Sequence, residues 1–308
     1  MNPYELSQHI LHQAAQLGFD ACGIAKADFL KEESAYVEQW LAEGRQGTMD
    51  YLTRNKEKRY DPRILVEGTK TIVSVLYNYY PQQKLETENN YKIAKYAYGR
   101  DYHDTLKQRL RQLLEHIETV TGRLETTRIF VDSAPVLDRA WAVKCGLGFI
   151  GKNTCLIHPK KGSFFFIGHL FLPVEIETAG KAIPNHCGRC TRCLDACPTG
   201  ALTAPFQLDA RKCISYLTIE CKDTLEHLPS SAFNEWVYGC DICQDVCPYN
   251  RFSLANSEMD FQVSEKLSSM RKDDWKRLSK TEFDEIFRKS AVKRAGFDGL
   301  KRNIEKMP

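Results

Sequence analysis

Nine of the twelve cysteines in this 308-residue chain lie in one segment, residues 187–247, and the spacing of seven of them demands a particular backbone path. The first run, from Cys187 to Pro198, has the form Cys-x2-Cys-x2-Cys-x3-Cys-Pro of bacterial ferredoxins. In that pattern three thiolates bind one [4Fe–4S] cluster, and the fourth, before the proline, binds a second cluster. A structural zinc site more often uses two separated pairs of ligands. The run therefore predicts a ferredoxin-like segment that holds two clusters.

A second run, from Cys240 to Pro248, has the same form but lacks its first ligand. Val237 stands where that cysteine would be, so the two runs supply seven of the eight thiolates that two clusters need. The nearest candidates for the eighth ligand are Cys213 and Cys221. We favour Cys213 because it follows the basic pair at positions 211 and 212, and nearby cations lower the pKa of a thiol toward the ligating thiolate.

The ferredoxin pattern crosses the ligands of the two runs between two clusters. The first cluster is expected to be bound by Cys187, Cys190, Cys193 and Cys247. The second cluster is expected to be bound by Cys197, Cys213, Cys240 and Cys243. The remaining four are expected to be ordinary thiols, namely Cys22, Cys145, Cys155 and Cys221. Two adjacent clusters conduct electrons, which implies an electron donor on one side and an acceptor on the other.

Apolar residues before the cysteine segment predict alternating helices and strands. A period near 3.6 residues predicts helices over residues 4–17, 36–41 and 102–120, the last ended by Gly122. Runs rich in β-branched and aromatic residues predict strands over residues 71–77, 128–131, 154–157 and 164–172. The last two strands are expected to pair around a turn at 159–162. This alternation predicts a layered α/β or α+β domain.

Asp132 directly follows the strand predicted at 128–131. Ser133 is expected to cap a helix with Pro135 in its first turn, so Asp132 would lie at the carboxyl end of a strand. After Pro248 the chain is polar and helix-prone, and four residues are available to pack on the body: Trp275, Phe283, Ile286 and Phe287. We therefore divide the chain into a main domain, a cluster domain and a C-terminal helical segment, over residues 1–183, 184–255 and 256–308.

Composition limits the location and the partners of the protein. No apolar run approaches the roughly 18 residues that a membrane-spanning helix needs, and residues 1–6 show no export signal. We therefore expect a cytoplasmic monomer that does not bind membranes. The net charge of +3 permits nucleic-acid binding without requiring it, because affinity for phosphates depends on local clusters of charge.

A glycine-rich stretch from Gly146 to Lys152 matches two nucleotide-binding patterns incompletely. A dinucleotide fingerprint should follow a strand, whereas a helix-like stretch precedes this one, and Asn153 occupies the Ser/Thr position of a P-loop. What these glycines do permit is close approach of the backbone to a large flat ligand, with Lys152 at its edge. Similarly, Asp101-x-His103 resembles the start of a cobalt-ligating motif, but Leu106 replaces its glycine, so His103 is expected to be a hydrogen-bonding or surface residue.

Four stretches and both cysteine runs together resemble the epoxyqueuosine reductase family. The stretches are Tyr98–His103, Val131–Leu137, Gly146–Lys152 and Cys213–Glu220, and the likeness extends over about residues 4–255. The chain also resembles, more distantly, the cobalamin-dependent reductive dehalogenases, which are typically exported. Because no export signal is visible, the tRNA-modifying family is favoured.

The resemblance implies an α+β fold, with a nitroreductase-like cobalamin-binding domain beside a ferredoxin-like two-cluster domain. It implies reduction of epoxyqueuosine to queuosine at the wobble position of tRNA, with electrons passing from an external donor through both clusters to cobalamin. It also implies that Asp132 is the proton donor, since opening an epoxide leaves an alkoxide that needs an acid. An apolar cleft would raise the pKa of this carboxyl group enough to hold the proton. The cobalamin contacts implied in the same way are Arg54, Asp132, Lys152, Ser163, Ser215, Glu220 and Asp241.

Some members of that family carry an additional C-terminal helical-repeat region that grips tRNA. In this chain the candidates for such a contact are Arg271, Lys272, Lys276, Arg277, Lys280, Arg288, Lys289, Lys293 and Arg294. Trp275 and Phe287 lie among them and are available to stack on bases. The alternative for these residues is a solvated helical face.

Two other functions stay open at this point. One is cobalamin-dependent reduction of a small molecule, as in the reductive dehalogenases, which needs no RNA-binding surface. The other is an electron carrier without catalysis of its own, which would leave Asp132 and the glycine-rich stretch purely structural.

Overall fold

A computed structural model of the chain describes residues 1–226 and 228–307. Its strands are β1 (Ala21–Lys26), β2 (Thr71–Asn78), β3 (Lys92–Ile93), β4 (Arg128–Phe130), β5 (Phe149–Ile150), β6 (Leu156–Ile157), β7 (Phe165–Leu172), β8 (Leu202–Ala204), β9 (Gln207–Leu208) and β10 (Trp236–Tyr238). Its α-helices up to the cysteine segment are α1 (Pro3–Gln16), α2 (Lys31–Ala42), α3 (Lys56–Tyr60), α4 (Pro62–Leu65), α5 (Tyr102–Thr121) and α6 (Asp138–Lys144). The later α-helices are α7 (Arg192–Asp195), α8 (Ile214–Ile219), α9 (Ile242–Asp245), α10 (Glu265–Ser269), α11 (Lys272–Arg277), α12 (Lys280–Ile286) and α13 (Gly296–Lys306).

The main domain is built on a four-stranded antiparallel sheet of order β1-β2-β7-β4. The central strand β2 is buried along nearly its whole length, which suits its β-branched and aromatic residues. It pairs over eight residues with β7, from Thr71 opposite Leu172 to Asn78 opposite Phe165. The short edge strand β4 brings the chain to Asp132, so this sheet edge positions the residue.

Helices α1 and α5 cover one face of the sheet. Asn2 and Glu5 form a reciprocal capping box at the start of α1, and the Asp101 side chain caps α5 by accepting a hydrogen bond from the amide of His103. Gly122, at a φ of 77°, ends α5 as its periodicity predicted. The apolar stripes of both helices form one core with the sheet, through Leu6, Ile10, Leu106, Leu110, Leu113, Val73, Val75 and Leu170.

A separate core joins the C-terminal helices to the chain on either side of the second cysteine run. β3 pairs in parallel with β10, and both α8 and α13 contact β10. Trp275, Phe283 and Phe287 are buried in this core, and Ile286 packs against it. No helix within residues 1–226 and 228–307 is long and apolar enough to cross a membrane.

Two local predictions are wrong. Residues 154–157 and 164–172 do not form a hairpin: β6 pairs with β5, and β7 joins the central sheet. Only an isolated bridge between His158 and Gly162 spans the predicted turn. The helix predicted from Ser133 begins instead at Asp138, because Val131 to Leu137 forms an irregular loop whose residue 132 has a φ of 54°. The spacing of apolar residues predicts helices and strands, but it does not show which strands pair or that residue 132 has a positive φ.

Candidate functional site

The four cysteines predicted for the first cluster line one surface cavity of about 230 Å³. Cys187 and Cys190 lie in the loop that leads into α7, Cys193 lies within α7, and Cys247 ends the turn after α9. The two short helices contact each other, which brings the two runs together as the crossed pattern requires. This geometry can hold a cluster open to the protein surface.

The cysteines predicted for the second cluster lie deeper. Cys213 and Cys240 pack against the core formed with the C-terminal helices. Burial raises the pKa of the Cys240 thiol, and the Cys213 and Cys197 thiols are near enough to raise it further. A hydrogen bond with Cys155 raises the pKa of Cys243, and burial and the Cys213 thiol add to this rise. The four side chains thus form a second group, set against the interior.

The reason given for choosing Cys213 is not supported. Burial raises the pKa of this thiol, and hydrogen bonds from the amides of Tyr216 and Ser215 only partly oppose that effect. Arg211 instead pairs with Asp209 at 2.8 Å. Cys213 qualifies by position rather than by basic neighbours, while the alternative Cys221 is buried in the core beside α13, where its carbonyl accepts a hydrogen bond from Arg302.

A ninth thiol, Cys155, lies at the second group and was not singled out in the sequence. A hydrogen bond with Cys243 lowers the pKa of Cys155, whose sulfur is enclosed by protein. Asn153 also contacts this region by donating a hydrogen bond to the carbonyl of Cys243 at 3.2 Å. No three His, Cys, Asp or Glu side chains among the described residues stand close enough to hold a single metal ion, and a cluster of four irons does not need them to.

The glycine-rich stretch supports the cysteine segment instead of opening a nucleotide-binding helix. It runs from the end of α6 through β5 into the turn of the β5–β6 hairpin, so it neither follows a strand nor begins a helix. The ammonium group of Lys152 donates hydrogen bonds to the carbonyl oxygens of Gly188 and Cys190, at 2.7 and 2.9 Å. The Lys152 side chain, which the resemblance implied as a cobalamin contact, therefore holds the loop of the first cysteine group.

Two other residues implied as cobalamin contacts also make internal contacts. The Ser163 hydroxyl donates a hydrogen bond to Gln244 at 2.9 Å. Asp241 is buried, and it accepts a hydrogen bond from the amide of Lys95 at 2.8 Å and pairs with the Lys95 ammonium at 3.3 Å. Burial raises the pKa of Asp241, and the Lys95 charge opposes that rise. Lys152, Ser163 and Asp241 together line the junction between the main domain and the cysteine segment.

Asp132 lies in the loop after β4, with its side chain 65% exposed. The hydroxyl group of Tyr102, the first residue of α5, donates a hydrogen bond to its Oδ2 at 2.5 Å. The Nε2 atom of His103 lies 3.9 Å from the same oxygen, while its Nδ1 is 2.6 Å from Asp101. The Asp132 carboxylate therefore stands in an open, hydrogen-bonded setting.

Aromatic packing fixes Tyr102. Its ring stacks on Phe166 of β7, with centroids 4.0 Å apart, and on His103 at 4.3 Å. Burial raises the pKa of Tyr102 well above its usual range, and the adjacent Asp132 charge adds to this, so the hydroxyl group stays a hydrogen-bond donor. Tyr102, in the rigid first turn of α5, thus holds in place the loop that carries Asp132.

The remaining implied contacts stand around the same opening. Glu220 forms a two-point ion pair with Arg294, both contacts measuring 2.9 Å, and that guanidinium lies 5.8 Å from the ring centre of Tyr51. Arg54, three residues after Tyr51, is exposed. Ser215, two residues after Cys213, is half-buried. The Asp132, Glu220 and Tyr51 side chains are close enough to affect one another electrostatically.

Two buried polar atoms without partners lie in the segment from the loop before α3 to α3 itself. The amide of Thr48 donates a hydrogen bond to the Tyr216 hydroxyl at 2.7 Å, which docks the loop on α8. Beside it, Oε1 of Gln46 and Nε of Arg59 are buried without a partner in the described part of the chain. Buried polar atoms normally have partners, so these residues fit a bound polar ligand such as the amide-rich corrin of cobalamin. A further cavity of about 260 Å³, beside Phe29 and Trp141, contains none of the implied site residues.

The predicted stacking of Trp275 and Phe287 on RNA bases is wrong. Both rings are buried in the C-terminal core, and the Trp275 indole donates a hydrogen bond to Asn90 at 2.8 Å. Several basic residues of the segment do face solvent, among them Lys276, Arg277, Lys280, Arg288 and Lys289. The carbonyl of Lys289 accepts a hydrogen bond from the amide of Asp101, so this basic surface adjoins the Asp132 loop.

Two family models match the chain. Residues 59–133 match "Epoxyqueuosine reductase QueG, DUF1730", and residues 186–250 match "4Fe-4S double cluster binding domain". Epoxyqueuosine reductase of Leadbetterella byssophila is 49% identical over 97% of this chain and 97% of its own length.

Solved structures agree with these matches. A crystal structure of epoxyqueuosine reductase with a tRNA-Tyr epoxyqueuosine-modified stem loop has a TM-score of 0.89 at 29% identity, covering 99% of this chain and 81% of the other. The Bacillus subtilis enzyme, with its catalytic aspartate loop swung out of the active site, gives 0.87 at 28% identity with the same coverage. These likenesses confirm the predicted α+β fold with its two-cluster domain, and the chain belongs to the epoxyqueuosine reductase family.

Proposed function

We propose that this protein reduces the epoxide of epoxyqueuosine in tRNA to the alkene of queuosine, using two [4Fe–4S] clusters and cobalamin. The observation that carries the proposal is the position of Asp132. Its carboxylate stands exposed on a loop, hydrogen-bonded to Tyr102, at the same opening as Glu220 and Arg294 and next to a basic surface. A nucleoside at the end of an RNA loop can reach a carboxyl group placed in this way.

The two cysteine groups supply an electron path toward that opening. The first group lines the surface cavity, and the second packs against the interior. Cys240 of the second group follows Gly239, which has a φ of 67°. A Cβ atom added to Gly239 would lie 2.5 Å from the Cβ of Ala94, so there is no room for a side chain at this position. From there the rings of Tyr238, Tyr96 and Tyr102 follow one another with centroids 6.1 and 6.3 Å apart. The second cluster is accordingly the one nearer Asp132.

Cobalamin supplies a strongly reducing cobalt centre when bound. The residues proposed to hold it are Arg54, Asp132, Lys152, Ser163, Ser215, Glu220 and Asp241, together with the unsatisfied Gln46 and Arg59. Because Lys152, Ser163 and Asp241 are engaged in internal contacts, we assign them the role of shaping the junction, and Arg54, Ser215 and Glu220 the role of direct contact. The glycines near Lys152 fix the junction in the same way.

Asp132 is proposed to deliver a proton. Conversion of an epoxide to an alkene consumes two electrons and two protons and releases the oxygen as water, so an acid must stand at the departing oxygen. Tyr102 holds the Asp132 carboxyl group by a hydrogen bond, and His103 lies close enough to pass a proton on through one water. Asp101 orients the His103 ring from its other side.

The substrate also determines the partners and the location that we propose. The exposed basic residues of the C-terminal helices would contact tRNA phosphates, and an external donor would supply electrons. We propose a cytoplasmic monomer, because tRNA is modified in the cytoplasm. The division into residues 1–183, 184–255 and 256–308 is kept as a proposal, although the last segment shares its core with residues 85–98 and 210–238. A small-molecule reductase is the less favoured function, because it gives no role to the basic surface beside Asp101.

The test is a single-turnover reaction after anaerobic reconstitution with iron, sulfide and cobalamin. Wild type, Asp132→Asn and the exposed control Asp104→Asn are incubated with epoxyqueuosine-containing tRNA and a strong reductant, and the nucleosides are analysed by mass. Wild type and the control should form queuosine, whereas Asp132→Asn should not, despite binding cobalamin. Loaded wild-type protein that leaves the epoxide oxygen in place would contradict the tRNA assignment and favour a small-molecule substrate.

A further inference from the structure

The cavity of the first cysteine group is surrounded by cationic and aromatic side chains that the proposed reaction does not use. Arg192 and Arg251 line it, and both are exposed. Arg189, also exposed, stands between two of the cysteines. Phe252 lines the same cavity and is 40% exposed, with the Arg251 guanidinium 4.6 Å from its ring centre. We call Arg189, Arg192, Arg251 and Phe252 the uptake face.

The charges of the uptake face are not balanced by ion pairs within the protein. Ion pairs in the described residues involve arginines 45, 63, 100, 109, 123, 211, 271, 277 and 294, and none of the three arginines of the uptake face is among them. The only exposed carboxylate in the loop of Cys187 to Cys197 is Asp195, and its Oδ2 accepts a hydrogen bond from Thr191. The face therefore presents a net positive field beside the outer cluster site.

The position of this face distinguishes it from the rest of the basic surface. The second cysteine group is packed against the core, so an external electron carrier can approach closely only the first group. An exposed aromatic residue surrounded by charged groups is typical of the centre and rim of a protein interface. Unpaired arginines around such a centre steer an oppositely charged partner and set its orientation.

We infer that the uptake face docks a small acidic protein that carries single low-potential electrons. The inference rests on the proposed cluster ligands and electron path, and it names the class of donor. Each encounter oxidises the carrier by one electron and reduces the outer cluster by one, so two encounters supply the electron pair that one epoxide consumes. The complex would be transient and dependent on salt, because its orientation comes from exposed charges.

The experiment measures how fast the clusters of the reconstituted holoenzyme are reduced in a stopped-flow instrument. The probe is a reduced, acidic plant-type ferredoxin, which is a carrier of low reduction potential. The variants are Arg192→Glu, Arg251→Glu and their combination, with Arg192→Gln as a milder change and the exposed Arg111→Glu on α5 as the matched control. Iron content and cluster absorbance, measured first in every protein, show that the sites are assembled.

The combined charge reversal should slow reduction by ferredoxin at least tenfold at low salt and abolish its salt dependence. Reduction by the small cation methyl viologen radical should not slow, cluster potentials should not move, and Arg111→Glu should behave as wild type. Equal slowing with both reductants, or a shifted potential, would overturn the inference, because the arginines would then be tuning the cluster. Loss of tRNA binding with intact ferredoxin kinetics would overturn it in favour of an RNA surface. Wild type that assembles no clusters would contradict the proposed function itself.

Discussion

The Tyr102 hydroxyl lies 2.5 Å from Oδ2 of Asp132, and it joins the first turn of a long helix to an irregular loop. The loop residue has a left-handed φ of 54°, a conformation that a non-glycine residue adopts at some cost. Tyr102 is held by its stacking on Phe166, so the hydrogen bond transmits the rigidity of the sheet and helix to the carboxyl group. We infer that Tyr102 holds the Asp132 loop in the position seen here.

Replacing Tyr102 with Phe should therefore lower the single-turnover rate of epoxide reduction about ten- to hundredfold. A hydrogen bond to a charged group contributes about 1.5–3 kcal/mol, and each 1.36 kcal/mol corresponds to about a factor of ten in rate. Cobalamin and cluster contents should not change. The control is Tyr60→Phe, which removes a tyrosine-to-carboxylate hydrogen bond to Glu38 elsewhere. An unchanged single-turnover rate in Tyr102→Phe would exclude this positioning role.

Removing the proposed eighth ligand should delete one cluster. Reconstituted wild-type protein should contain about eight irons per chain, Cys213→Ala about four and Cys221→Ala about eight. Cys213 lies with the second cysteine group, whereas Cys221 is buried beside α13. Iron analysis and the electron paramagnetic resonance spectrum of the reduced protein measure the outcome. If Cys213→Ala keeps both clusters, the eighth ligand is another residue, and the nearby Cys155 becomes the first to test by the same substitution.

The cysteine runs and the long helices could be predicted from sequence because their signals are local. Ligand spacing in the first run follows from the size of one cluster, and the stripe of α5 repeats within each turn. The contact between Tyr102 and Asp132 joins residues 30 positions apart, and no local sequence pattern indicates that the two side chains meet. The same holds for Cys155, which is brought to Cys243 only by the fold.

The errors share a physical cause. The pairing of β7 with β2 instead of its neighbour β6 is a tertiary choice, because both partners offer the same apolar pattern. Basic neighbours suggested that Trp275 and Phe287 could stack on RNA bases as well as pack on the body. Large aromatic side chains gain more by burial, and here a core was available. The charged residues of a helix indicate which face is exposed to solvent, but they do not show whether an aromatic side chain of the same helix is buried.

The ion pair between Lys95 and Asp241 should be essential for stability. The Lys95 ammonium is buried between Asp241 and Asp245, at 3.3 and 2.6 Å. Lys95→Met leaves the buried Asp241 carboxyl group without its charged partner, and breaking a buried ion pair typically costs about 3–5 kcal/mol. A lowered thermal unfolding midpoint of the reconstituted protein measures this, with the exposed Lys58→Met as control. A variant as stable as the control would show that Asp241 is satisfied by the Lys95 backbone amide alone.

The carboxylate of Glu258 should make the protein less stable in acid. It accepts hydrogen bonds from Arg109 at 2.6 Å and from Tyr77 at 2.8 Å, and these tie the segment before the C-terminal helices to α5 and β2. Burial alone would raise the pKa of Glu258, but the two hydrogen bonds outweigh it, so the pKa is lowered. A lowered folded-state pKa contributes stability that is present above the unfolded value of about 4.3 and is lost as the pH falls through the folded value. Glu258→Gln should therefore lower the unfolding midpoint at pH 7, and its difference from wild type should shrink below about pH 4. The exposed Glu67→Gln serves as control, and a difference that stays constant with pH would rule out the linkage.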